Sequence, residues 1–191
     1  MTALETVSAA LSALGVWLTG RRAMACWPVM SLASVLYGVV FWQAHLYADM
    51  ALQGVFAALS LYGWWRWLRG VQTDGAVYIV PLKNMLFWSG LFVAALGGLV
   101  GGYALQTLTD DPMPLLDALL SAYSILAQVW MARRHSACWW LWGVIDAAYT
   151  VMFTIRGLYL TAVLYAVFVV LAVAGWRAWR HAGVKPVRKN T

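Results

Sequence analysis

The chain has 191 residues, 63% of them hydrophobic and 10% charged, and a net charge of +6 from 13 Lys+Arg against 7 Asp+Glu. A soluble domain is nearer about 45–50% apolar and about 25% charged, so these few charges cannot cover the apolar surface in water. The composition excludes an ordinary soluble enzyme, a disordered chain and, with only Cys26 and Cys138, a disulfide scaffold. It indicates a polytopic helical membrane protein.

Met1 to Glu5 lack a basic residue, so the first apolar run reads as a true span and not as a cleaved signal peptide. Apolar segments follow at 4–20, 24–43, 46–66, 84–106, 115–132, 136–155 and 158–179. At about 20 residues each, seven spans use about 140 residues and leave no room for a soluble catalytic domain. The runs are too long and continuous for barrel strands, and helices alone satisfy their backbone within lipid.

With the N-terminus outside, Arg21, Arg22, Arg66, Arg69, Lys83, Arg133, Arg134, Arg177, Arg180, Lys185, Arg188 and Lys189 all fall inside. Only Arg156 of the 13 basic residues falls outside, which predicts N-out, C-in under the positive-inside rule. Asp74 then lies inside, and Asp110 and Asp111 outside. The net positive charge therefore describes orientation and implies no nucleic-acid partner. Trp64, Trp65, Trp67, Trp139, Trp140, Trp176 and Trp179 lie near span ends and read as interfacial belts.

An offset of 112 places Arg21-Arg22 on Arg133-Arg134 and Ala25-Cys26-Trp27 on Ala137-Cys138-Trp139. Tyr37 falls on Tyr149, Phe41 on Phe153, Val55-Phe56 on Val167-Phe168, Gly63-Trp64 on Gly175-Trp176 and Trp67 on Trp179. In all, 17 of the 47 positions from 21 to 67 are identical to their mates. One gap extends the match back to Val16-Trp17 on Val129-Trp130. The expected fold is therefore an all-α polytopic membrane protein of seven transmembrane helices, two parallel three-helix repeats joined by a linker helix (3+1+3). Residues 1–70 form repeat 1, 71–111 the linker with span 4, 112–182 repeat 2 and 183–191 a basic cytoplasmic tail. Span 4 carries Gly97/Gly101 and Gly98/Gly102, pairs that permit close helix contact, within a subunit or between subunits.

No HExxH, GxSxG or P-loop occurs, so no catalytic residue, metal or cofactor is assigned. His45, His135 and His181 are scattered and read as surface histidines. Asp146 stands out in the middle of span 6. A charged side chain there costs about 2.5–3.5 kcal/mol on insertion scales, which marks it as a functional residue. A buried anion favours a cationic substrate group.

The repeat supplies a filter. Identical pairs serve the shared scaffold, whereas positions where the copies differ can read an asymmetric small molecule. Ser34 stands opposite Asp146, Gln53 opposite Tyr165, and Gly15 opposite Gln128. These lie on spans 2/6, 3/7 and 1/5 and are expected to line one cavity. Tyr37, Tyr149 and Trp142 lie one turn from Ser34 or Asp146 and are candidates to stack on a flat ring. Asp49 and Asp117 begin spans 3 and 5, as outer attractors of cations or as solvated, capping carboxylates.

The stretch LYADMALQGVFAALSLYGWWRW (46–67) resembles the Pnu family of vitamin transporters. So do LLDALLSAYSILAQVWMARR (115–134), WWLWGVIDAAY (139–149) and LYLTAVLYAVFVVLAVAGWRAW (158–179). The resemblance covers Glu5 to Trp179 and implies a 3+1+3 fold in the bacterial inner (plasma) membrane and a homotrimer. It implies uptake of nicotinamide riboside by facilitated diffusion, with trapping through phosphorylation by a cytoplasmic substrate kinase. The chain departs from the family at Ser136-Ala137-Cys138 and Ala33-Ser34, and the family includes thiamine and riboflavin carriers. In the leading reading Asp146 balances a pyridinium charge, Gln53 and Gln128 bond the ribose or carboxamide, and Tyr37, Trp142 and Tyr149 stack. The first alternative is a thiamine transporter, followed by a SWEET-like sugar carrier. A membrane-embedded enzyme lacks a nucleophile, and a structural subunit leaves the polar mid-span residues unexplained.

Overall fold

The structure is a computed structural model and describes residues 3–43, 45, 47–71, 77–108, 113–155 and 157–180. Asp74, Asp110, Asp111, Arg156, His181 and the tail 183–191 lie outside the described residues. Among these residues the chain is helical, with α1 (Ala3–Gly20), α2 (Cys26–Gln43), α3 (Tyr47–Leu68), α4 (Asn84–Leu108), α5 (Pro114–Ala132), α6 (Ala137–Ile155) and α7 (Tyr159–Arg180). Each lies within a few residues of an expected span, because long apolar runs in lipid must close their own hydrogen bonds.

Six of the helices are long and apolar enough to cross a membrane; α3 is the exception. Its 22 residues reach about 33 Å, which suffices in length. Asp49, Gln53, Ser60 and Arg66 dilute its apolar character.

Helices α1, α2 and α3 pack in sequence, as do α5, α6 and α7. The two groups meet through α3 on α5 and α1 on α7, and α4 packs on α5. Gly98 and Gly102 explain that last contact. A Cβ on either would come within 3 Å of the Leu119 or Leu115 backbone, so only glycine permits the approach. Gly97 faces open space.

The helix ends are closed alike at positions 112 apart. After α1, Arg22 N–H donates to Thr19 O (2.9 Å) and Ala23 N–H to Leu18 O (3.0 Å); after α5, Arg134 N–H donates to Met131 O (2.9 Å) and His135 N–H to Trp130 O (2.9 Å). This pattern requires a left-handed residue, and Arg22 (φ 58°) and Arg134 (φ 65°) supply it. Each costs about 1–2 kcal/mol relative to a glycine. Both side chains reach across the same end of the molecule, Arg22 donating to Val77 O and Arg134 to Gly70 O, each at 3.4 Å.

Trp67, Trp139 and Trp179 are not interfacial. With Trp27 they are at most 2% exposed and form the core at the end of the bundle that carries the basic residues. Trp27 meets Trp67 edge-on at 5.1 Å, Trp139 meets Trp179 edge-on at 5.5 Å, and Trp67 and Trp179 lie 6.0 Å apart. The Trp67 indole donates to Met131 O (3.3 Å) and the Trp179 indole to Thr19 O (3.0 Å), each bond crossing from one three-helix group to the other. Gly63 and Gly175 make room for the Trp27 and Trp139 rings, whose atoms a Cβ would overlap. Trp64, Trp65 and Trp140 are exposed, and Trp176 is partly buried against the core. The belt reading fails for Trp67, Trp139 and Trp179 because position along a helix says nothing about which side of it a residue occupies.

The segment before α4 closes this end. Val71 and Val77 form an antiparallel bridge, and Val77 and Ile79 are buried in the tryptophan core. Val80 N–H donates to Arg134 O (2.9 Å), and His135 Nδ1 lies 2.9 Å from Val80 O. His135 is thus buried at 8% exposure and not a surface residue. Burial pushes its pKa below the usual imidazole value; Val80 O opposes that, and Arg133, Arg134 and Arg66 reinforce it.

Candidate functional site

A cavity of about 870 Å³ lies among α1, α2, α3, α5, α6 and α7. Each helix contributes one stripe at spacings of three or four, the side of an α-helix that faces a common point. From α6 come Trp139, Trp142, Asp146 and Phe153; from α2 Met30, Ser34, Tyr37 and Phe41. Helix α3 adds Gln53, Phe56 and Ser60, and α7 adds Leu164, Tyr165, Phe168 and Ala172. Helix α5 adds Gln128 and Met131, and α1 adds Glu5, Ala9, Ser12 and Val16.

Asp146, Ser34, Gln53, Tyr165, Gln128, Tyr37 and Trp142 therefore share one cavity. Asp146 is 6% exposed, and none of the described residues hydrogen-bonds its carboxylate. Its backbone carbonyl accepts from the Thr150 hydroxyl at 2.7 Å. Gln128 is 1% exposed and donates from Nε2 to Ser60 Oγ at 3.3 Å, while its Oε1 has no partner among the described residues. The Trp142 indole N–H is likewise shielded and without a partner among the described residues. A cavity lined by a carboxylate that no described residue hydrogen-bonds favours a solute with a cationic group.

Tyr149 is not among the lining residues. Its ring packs beside the buried Leu120, Ala127 and Ile145 and stacks on Phe153 (5.8 Å). It reaches the cavity only through Phe153 and Tyr165, the latter 4.8 Å away. Tyr37 stacks on Phe41 in the same way (5.9 Å) but does line the cavity. Gly15 packs against Met30 outside the cavity lining. Asp49 and Asp117 lie in the first turns of α3 and α5, away from the lining.

Sequence reasoning passed over Ser60, Ser12, Glu5, Phe56 and Phe168. Ser60 was legible as the residue two turns after Gln53 on one face. Phe56 and Phe168 are identical mates, which the repeat filter assigned to the scaffold; here both also face the cavity.

Apolar membrane-length helices around one solute-sized cavity with unmet polar groups define the class of multi-pass helical transport proteins. Residues 2–181 match the family described as nicotinamide mononucleotide transporter, and the chain belongs to that family. It is 28% identical over 169 residues to the nicotinamide riboside transporter PnuC of Escherichia coli strain K12, covering 75% of this chain and 71% of the relative. It is 29% identical over 171 residues to the riboflavin/roseoflavin transporter RibM of Streptomyces davaonensis, covering 83% and 76%. The crystal structure of the vitamin B3 transporter PnuC has the same fold, with a TM-score of 0.76 at 22% identity over 93% of this chain and 80% of the other.

Proposed function

We propose that the protein carries nicotinamide riboside into the cell across the bacterial inner membrane by facilitated diffusion. The observation that carries this reading is the joining of the Asp146 carboxylate, Gln128, Gln53 and the Tyr37, Trp142 and Tyr165 side chains in one cavity. A pyridinium ring with ribose and carboxamide supplies a cation, a flat face and several donors and acceptors. Asp146 balances the cation, Gln53 and Gln128 bond the polar groups, Ser34 adds a hydroxyl, and Tyr37 and Trp142 stack. Tyr165 lines the cavity, and Tyr149 backs Tyr165.

The cavity includes Glu5, Phe41, Phe153 and Thr161 from the ends of α1, α2, α6 and α7 opposite the tryptophan core. Under N-out, C-in orientation this arrangement faces outward and is closed inside by Trp27, Trp67, Trp139, Trp179 and the docked 77–80 segment. The two three-helix groups act as parallel copies, α4 as the linker, with inward release when the inner contacts part. A cytoplasmic kinase would add a phosphate, producing an anion that the Asp146 site rejects. The assembly is a homotrimer, and the protein itself is not an enzyme.

A riboflavin reading has a specific basis in the similarity to RibM. A buried carboxylate without a protein partner suits a neutral isoalloxazine less well than a cationic ring. Thiamine, also cationic, is the closer competitor. Proteoliposomes holding the purified protein decide among them by uptake of labelled nicotinamide riboside, thiamine and riboflavin. Preference for nicotinamide riboside without an ion gradient is expected. Preference for another vitamin overturns the substrate, and dependence on a proton or sodium gradient overturns facilitated diffusion.

A further inference from the structure

A second concavity lies outside the transport cavity, on the outer surface between α4 and α5. It holds about 420 Å³ and runs from Gly97 and Ala122, in the middle of the two helices, to Leu82, Arg133 and His135 at their basic end. Between these limits it is lined by apolar side chains such as Val93, Ile125 and Val129. Leu86 and Val93 on its rim are 45% and 66% exposed, so it opens sideways, toward lipid.

Its dimensions select an occupant. From Leu86 to Gly97 the helix rises about 16 Å, close to the thickness of one leaflet, half of a hydrocarbon core of about 30 Å. An acyl chain of that leaflet spans the groove from its basic end to mid-membrane.

Charge identifies the head. Arg133 is exposed and lines the end of the groove beside His135. Arg134 instead donates to Gly70 O at 3.4 Å. The described carboxylates Glu5, Asp49, Asp117 and Asp146 lie at the far ends or in the middle of their helices. A guanidinium at the mouth of an apolar groove is matched by a phosphate, which accepts paired charge-assisted bonds from its fork.

We propose that this groove binds one anionic glycerophospholipid, an acyl chain lying along α4 and α5 and the phosphate held by Arg133. The site is independent of the transported solute. By covering α5 next to the turn that anchors the 77–80 segment, the lipid ties the surrounding leaflet to the inner closure.

The test is lipid retention by the purified full-length protein, read by native mass spectrometry after exchange with phosphatidylglycerol or phosphatidylcholine. Preferential retention of phosphatidylglycerol is expected. The variant Arg133→Gln should lose about tenfold in that preference, the effect of one charge-assisted bond. Gly97→Leu should lower retention of both lipids, because a side chain there meets no protein atom and grows into the groove. Equal retention of the two lipids overturns the proposal, as does a preference that survives Arg133→Gln. Displacement of phosphatidylglycerol by millimolar inorganic phosphate would make this a free-anion site. Loss of oligomeric mass in Gly97→Leu with lipid retention unchanged would make it a subunit interface. Either result also overturns the lipid assignment.

Discussion

Asp146 carries the sharpest expectation at the scale of single residues. Asp146→Asn keeps the shape and removes the charge, so uptake of a cationic vitamin should fall by about tenfold or more, the worth of roughly 1.4 kcal/mol. Expression and thermal stability should stay near wild type, since no described residue hydrogen-bonds the carboxylate. Unchanged uptake in proteoliposomes would remove Asp146 from the site. His135 carries a pH dependence. Its ring resists protonation while docked, whereas a released imidazole titrates near pH 6.5 (about its unperturbed value). Docking of the 77–80 segment is therefore fully favoured above about pH 6.5 and weakens as pH falls below it. Hydrogen exchange at residues 77–80, corrected for intrinsic rates, should rise on acidification. In His135→Gln that dependence should flatten.

At the scale of the helices, packing at the tryptophan core turns on two glycines. Gly63→Ala and Gly175→Ala each press a methyl group into a buried indole, an overpacking cost of about 1–3 kcal/mol. Both should lower the melting temperature of the purified protein. Gly54→Ala is the control, because a Cβ there meets nothing within 4 Å. The two indole bonds that cross between helix groups give a paired expectation. Trp67→Phe and Trp179→Phe each remove one of two donors to Met131 O or Thr19 O, at about 0.5–1.5 kcal/mol. Similar losses in the two variants would fit equivalent roles for the mates; loss in one alone would argue against them.

The whole molecule must be placed in a membrane before any of this becomes transport. N-out, C-in orientation predicts that a C-terminal reporter is active in the cytoplasm and that an N-terminal epitope is accessible outside intact spheroplasts. The reverse labelling pattern would invert the proposed direction of the cavity. Much of the architecture is legible without coordinates. Runs such as Asn84–Leu108 are so apolar that lipid dictates a helix, and the identities of Tyr37, Phe41, Gly63 and Trp67 with Tyr149, Phe153, Gly175 and Trp179 expose the internal offset. The cost of a mid-span carboxylate singled out Asp146, and the mismatched pairs led to Gln53, Gln128, Ser34 and Tyr165. Tertiary structure alone decided the direction each side chain takes around its helix. It turned Tyr149 into the packing behind Tyr165, drew Trp27, Trp67, Trp139 and Trp179 into a core, buried His135 under Val80 and brought Ser60 to Gln128. The physical reason is that water sorts a soluble helix into apolar and polar faces, whereas lipid accepts apolar residues on every face. Spans and mid-membrane charges are therefore written in composition, while rotation and partnership are settled only when the helices pack.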